Sequence, residues 1–172
     1  MKKEQYAQFY SKITAGIRPR PKLIKALAFL DKGMVCGFIS AYAAYLGFTL
    51  FSAPFDLLLW ANKMGLPALC FAVVSLLRIL IKRPRPYETE GAGIDALNKK
   101  GATGNSMPSR HVASAFVIAM VFLAESALFG ILALVAGCVI AILRLLEGVH
   151  YPSDILLGAI LGIAFGAVGL LF

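Results

Sequence analysis

Long uncharged runs alternate with three short polar islands along this chain of 172 residues. Residues 33–53 carry no charge over 21 positions, close to the roughly 20 that an apolar helix needs to cross a bilayer. Residues 64–81 form a second apolar run whose only charge, Arg78, lies about one turn from its end. Residues 112–124 and 126–143 follow, with Glu125 and Gly130 near the turn between them, and read as a helical hairpin. Residues 155–172 are a fifth run, with Gly158, Gly162 and Gly166 four apart. Glycines at that spacing line one helix face and let a neighbouring backbone approach closely, either inside the bundle or in a second subunit. The pattern predicts an all-α integral membrane protein: a bundle of about five transmembrane helices forming one domain.

The connections are polar. Residues 54–63 read as a turn, and residues 87–107, glycine-containing and without a helical period, as a loop. At the start of the chain Lys2, Lys3, Lys12, Arg18, Arg20, Lys22 and Lys25 are interleaved with Tyr6, Phe9, Tyr10, Ile13 and Ile17 at helical spacing. This predicts an N-terminal interfacial amphipathic helix within a basic segment, residues 1–30, ahead of a transmembrane bundle over residues 33–172. The same stretch lacks the apolar core of a cleavable signal peptide.

Composition agrees: 59% hydrophobic and 15% charged residues exclude an ordinary soluble domain. The formal charge of +8 suits anionic lipid head groups or a phosphate pocket. No aromatic-interleaved basic stretch points to a nucleic-acid partner. Cys36, Cys70 and Cys138 are far apart, odd in number and embedded in apolar runs, so they read as packing residues rather than disulfides or metal ligands.

The islands are Arg78-x6-Arg85-Pro86, Pro108-Ser109-Arg110-His111 and Arg144-x5-His150-x3-Asp154. An up-and-down bundle brings the end of the second span, the start of the third and the connection between the fourth and fifth to one membrane face. A phosphoryl group in transfer spreads charge over three oxygens, so catalysis needs several fixed cations around it. Arg78, Arg85 and Arg144 are the candidates, and the planar guanidinium fork suits paired oxygens. Ser109 and the backbone N–H of Arg110 fall at a helix start, where unpaired N–H groups favour an anion; the plain alternative is that Ser109 only caps the helix. His150 is the candidate nucleophile, with Asp154 one turn on to fix its tautomer. His111 is the candidate general acid and base. Glu147 reads as a solvated neighbour outside the site, and Arg18-Pro19 and Arg20-Pro21 as basic helix ends. No acidic cluster with metal-ligand spacing accompanies the histidines, so no metal or cofactor is expected.

The order and spacing of the islands resemble the type 2 phosphatidic acid phosphatase superfamily, whose signature is Lys-x6-Arg-Pro, Pro-Ser-Gly-His and Ser-Arg-x5-His-x3-Asp. The match runs from residue 78 to 154 and includes Gly148-Val149-His150-Tyr151-Pro152-Ser153-Asp154. Arg78 stands where lysine is usual, Arg110 where glycine is, and Leu143 where serine is. The first two keep or add a cation, whereas Leu143 removes a hydroxyl that would bond a phosphate oxygen. The resemblance implies a membrane lipid phosphatase working through a phosphohistidine. Its substrate would be a polyprenyl phosphate or diphosphate, phosphatidylglycerol phosphate or phosphatidic acid. The alternative from another class is a non-catalytic protein that binds or translocates anionic lipids, which needs the arginines but neither His150 nor Asp154. The basic N-terminal segment lies on the site face and the opposite turns hold only Lys63, so the charge distribution turns the site of a multi-pass plasma-membrane protein towards the cytoplasm. The resemblance points the other way, since many bacterial relatives are thought to work on the outer face.

Overall fold

The computed structural model describes residues 3–52, 56–89, 93–98 and 104–171. Among them there is no strand. Helix α1 (Lys3–Thr14) precedes the long α2 (Pro21–Ser52). A short α3 (Leu57–Trp60) runs through a π-helical turn, Ala61–Gly65, into α4 (Leu66–Ile81). After a 3-10 turn at Pro86–Glu88 come α5 (Arg110–Glu125), α6 (Ala127–Leu146) and α7 (Pro152–Gly169).

Among the described residues four stretches are long and apolar enough to cross a membrane: Pro21–Ser52, Leu57–Glu88, Ala127–Leu146 and Pro152–Gly169. The fifth helix of the bundle, α5, has 16 residues and spans about 24 Å at 1.5 Å per residue. It is the bundle's axis, packed against α4, α6 and α7, with Val112, Val117 and Ala119 at 0% exposure. By contrast Phe29, Phe48, Phe51, Phe129 and Leu156 are all more than 60% exposed on the outer helices. Such a belt is tenable only against lipid.

The glycine stripe of α7 packs inside the subunit, facing α5. A Cβ at Gly162 would stand 2.5 Å from the Ala113 carbonyl oxygen, and one at Gly166 would stand 2.2 Å from Met120 Cβ. Cys70 belongs to the adjoining core with Val74, Ala113 and Val117. Cys36 and Cys138 instead lie on exposed surfaces, so only one of the three cysteines packs as expected.

Three features differ from the hydropathy reading. Helix α2 begins at Pro21, not at residue 33, because Lys22, Lys25 and Lys32 point outward while Asp31 is buried against a cation. Residues 21–30, expected within the basic segment, therefore continue into α2 without a break. The expected end of that span, Ala53, lies outside the described residues, as do Pro54 and Phe172.

The second difference is at 57–63, where helix replaces the expected turn. Pro67 has no N–H to offer the Lys63 carbonyl four residues back, and the ladder widens into the π turn. The Tyr42 hydroxyl of α2 donates to that carbonyl instead. The Lys63 charge, which made this stretch look like a turn, is neutralised by Glu125 at 2.6 Å.

Third, α1 is amphipathic as expected, but its tyrosine edge is covered by protein. Tyr6 and Tyr10 are each 1% exposed, and their hydroxyls donate to the carbonyls of His150 (3.2 Å) and Leu146 (3.0 Å). Burial raises the pKa of both phenols, so they remain donors.

Candidate active site

The three islands meet at the α1 end of the bundle. Arg78, in the last turn of α4, donates to the carbonyls of Pro108 (2.8 Å) and Ser106 (3.2 Å), bracing the segment that enters α5. The Ser109 N–H donates to the Asp154 carbonyl in the first turn of α7 (2.9 Å). This approach depends on Gly158, where a Cβ would stand 2.7 Å from the Ser109 carbonyl oxygen. Ser109 occupies the N-cap position of α5, yet its hydroxyl makes no cap bond. The Ser109 Oγ is buried with no hydrogen-bond partner among the described residues. A buried hydroxyl without a partner is costly, so capping does not explain this serine.

His150 sits between α6 and α7 and is 6% exposed. Gly148 makes the turn before it with φ of 77°, a left-handed conformation that favours glycine, and a Cβ there would collide with the Tyr10 hydroxyl at 2.6 Å. The His150 Nδ1 faces Asp154 Oδ2 at 3.7 Å. That oxygen also accepts the Tyr151 N–H at 2.9 Å. Burial pushes the His150 pKa below its ordinary value; Asp154 opposes this, while Arg78 and Arg144 reinforce it. The imidazole is therefore held neutral, which is its nucleophilic form.

Two arginines are engaged in ways the sequence did not suggest. Arg144, 3% exposed, is ion-paired through Nε with Asp31 Oδ1 of α2 (3.1 Å) and through Nη1 with Glu147 Oε2 (3.7 Å), and not with Asp154. Glu147, expected to be a solvated neighbour, is 2% exposed and also accepts from Asn98 (2.8 Å). Asp154 is instead held by Arg83, whose Nη1 lies 2.7 Å from Oδ1 and 2.7 Å from Ser153 Oγ while its guanidinium stacks 4.0 Å over the Tyr151 ring. Sequence reasoning missed Arg83, lost among four Arg-Pro pairs, and Asp31. An acid in an otherwise apolar helix was the available signal for Asp31.

Arg85 is half-buried, donates to the Tyr87 hydroxyl (2.9 Å) and lies near enough to Arg78 and Arg144 to act on both charges. Its Nε is buried with no hydrogen-bond partner among the described residues. Arg110 and His111, in the first turn of α5, are exposed. They stand at the head of a 290 Å³ cleft walled by Val35, Phe38 and Ile39 of α2, Phe71 of α4 and Ile140 of α6. Leu143, where serine is usual, is 3% exposed. No group of three or more His, Cys, Asp or Glu among the described residues is arranged to hold a metal ion.

The site end thus combines clustered guanidinium groups, a neutral buried histidine backed by a carboxylate, and an apolar cleft beside a second histidine. Residues 57–172 match the family model of the PAP2 superfamily. The fold is similar to that of LpxE from Aquifex aeolicus, with a TM-score of 0.70, 23% identity, and coverage of 96% of this chain and 94% of that one. It is also similar to a transmembrane PAP2-type phosphatidylglycerolphosphate phosphatase from Bacillus subtilis, with a TM-score of 0.56, 21% identity, and coverage of 98% and 94%. No curated protein matches the chain.

Proposed function

Since this chain belongs to the PAP2 superfamily, we propose that it is a metal-independent lipid phosphatase of the plasma membrane, a single domain cleaving a phosphate ester or diphosphate through a phosphohistidine. His150 carries the reading: a buried imidazole kept neutral by its surroundings, with a carboxylate behind Nδ1 and guanidinium groups close by. A protein that only binds or carries anionic lipid has no use for that arrangement.

With Nδ1 turned to Asp154, Nε2 is the attacking atom. It forms the N–P bond as the bond from phosphorus to the lipid-side oxygen breaks. Asp154 stabilises the imidazolium, and its 3.7 Å separation closes as charge develops. Arg78, Arg85, Arg110 and Arg144, with the Ser109 hydroxyl and the Arg110 N–H, take the charge of the equatorial oxygens. His111 gives a proton to the departing oxygen, then removes one from the water that breaks the N–P bond and frees inorganic phosphate. His111 lies at the head of the apolar cleft, where a lipid leaving group would emerge.

That cleft favours an amphiphile over a soluble sugar phosphate. Polyprenyl phosphates and diphosphates, phosphatidylglycerol phosphate and phosphatidic acid all fit this description. The basic α1 end favours a cytoplasmic site. The test is phosphate release from a panel of these lipids in detergent with EDTA, comparing wild type with His150→Ala. Release that vanishes in the variant supports the proposal. Equal release by the two proteins, or none from any lipid by folded wild type, contradicts it and moves the weight to lipid binding.

A further inference from the structure

Asp31 lies in α2, outside the stretch that matches the PAP2 family model, yet it is 1% exposed at the site end of the bundle. An ionised carboxylate inside a transmembrane helix is expensive unless a partner is fixed in place, and among the described residues Arg144 is such a partner. Glu147 meets the same guanidinium from the other side, and Asn98 holds the second oxygen of Glu147 at 2.8 Å. The three charged side chains are 2–4% exposed. From this arrangement we infer that Asp31 and Glu147 are positioning residues, a two-sided carboxylate clamp that aims Arg144 at the phosphate and moderates the pocket's positive charge so that inorganic phosphate can leave.

A guanidinium offers five N–H donors in a rigid fork. Arg144 Nε and Nη1 stand at ion-pair distance from the two carboxylates, and Nε makes no hydrogen bond among the described residues, so the fork is held by charge while keeping donors for an anion. Arg78 lies within electrostatic reach of Arg85 and Arg110, and Arg144 within reach of Arg85. Four guanidinium groups around one small anion would hold a phosphate dianion after the chemistry is finished, and uniform tight binding of this kind slows turnover instead of speeding it. Two carboxylates on Arg144 reduce that hold without removing the donor.

Asp31 also shares a face of α2 with Val35 and Phe38, at the i, i+4 and i+7 positions. Both of those residues wall the apolar cleft. The helix that seats the lipid chain therefore carries the carboxylate that aims Arg144.

This inference rests on the phosphatase reading, and the experiment separates the two. Orthophosphate binding is measured by calorimetry on purified wild type, Asp31→Asn and Asp31→Glu, alongside kcat and KM on the best lipid phosphate. Asp31→Asn is expected to bind orthophosphate at least fivefold more tightly while kcat falls at least tenfold; Asp31→Glu should recover most of both. Glu147→Gln relieves the other arm, should move orthophosphate affinity in the same direction, and decides the matter if Asp31→Asn does not fold. Unchanged or weaker orthophosphate binding in the folded variants overturns the clamp. If wild type releases no phosphate from any lipid, the phosphatase reading fails, while the orthophosphate affinities still decide the clamp.

Discussion

Both ends of the bundle bury charge, and they do so differently. At the far end Lys63 is paired with Glu125 at 2.6 Å, donates to the Tyr45 hydroxyl and sits 4.8 Å over its ring. One cation meets one anion, and the cluster is closed upon itself. At the site end Arg83 and Arg144 are paired with Asp154, Asp31 and Glu147, while Arg78, Arg85 and Arg110 make no ion pair with these acids among the described residues, and the Ser109 Oγ and Arg85 Nε lack hydrogen-bond partners there. A buried ion pair by itself is a structural device of small or negative net value. Excess cation beside unused donors is what distinguishes a place built for an anion.

The comparison is tested most severely by His150→Ala, which should lower kcat/KM roughly 10³-fold or more, because a lost nucleophile is not replaced by the remaining charges. Arg144→Ala should follow with a loss on the order of 10²–10³ in kcat, the range for removing one donor to transition-state charge. At the far end Lys63→Met should cost about 1–3 kcal/mol, less than for a fully buried pair because Glu125 is 44% exposed. It should appear as a lower melting temperature in detergent, with kcat per folded molecule within about twofold of wild type. Substituting both partners, Lys63→Met with Glu125→Leu, should restore most of the stability. If Lys63→Met abolishes activity in folded protein, the two ends are not functionally distinct.

The smallest effect is on pH dependence. Burial lowers the His150 pKa, so the acid limb of kcat/KM should fall below the ordinary histidine range near pH ~6.5. Arg83→Gln frees Asp154 to support imidazolium, raises the pKa and moves that limb to higher pH. An unmoved limb would show that Arg83 acts only as a structural brace. The same shift bears on stability. A histidine whose folded pKa is depressed binds protons more readily when unfolded, so its stabilising contribution is complete above the unfolded pKa. It is lost as pH falls through that value towards the folded one.

The sequence made the helices of the bundle legible because lipid leaves no other way to satisfy a backbone, and the glycine spacing of α7 because only a close neighbour explains it. The three islands were legible as residue types at fixed offsets, and the structure brings them to one end. Charges whose partners come from elsewhere in the chain were not legible. Lys63 read as the end of a turn because nothing local indicates Glu125, and Glu147 read as solvated because Arg144 and Asn98 reach it only after folding. Asp31 and Arg144 are brought together solely by the packing of α2 against α6. Hydropathy started the first span at residue 33, past Asp31 and Lys32, for the same reason: a charge counts as a boundary until its partner is known. Ser109 was readable as a cap or as a phosphate ligand, and only the direction of its hydroxyl separates the two.

The most direct measurement is rapid quench of the enzyme with a ³²P-labelled preparation of whichever panel lipid it cleaves fastest. The expected result is a transient protein-bound label, stable to alkali and labile to acid, mapped to His150 and absent from His150→Ala. Turnover without any such label, or a label that survives in His150→Ala, would contradict phosphoryl transfer to this histidine and with it the distinction between the two ends of the bundle.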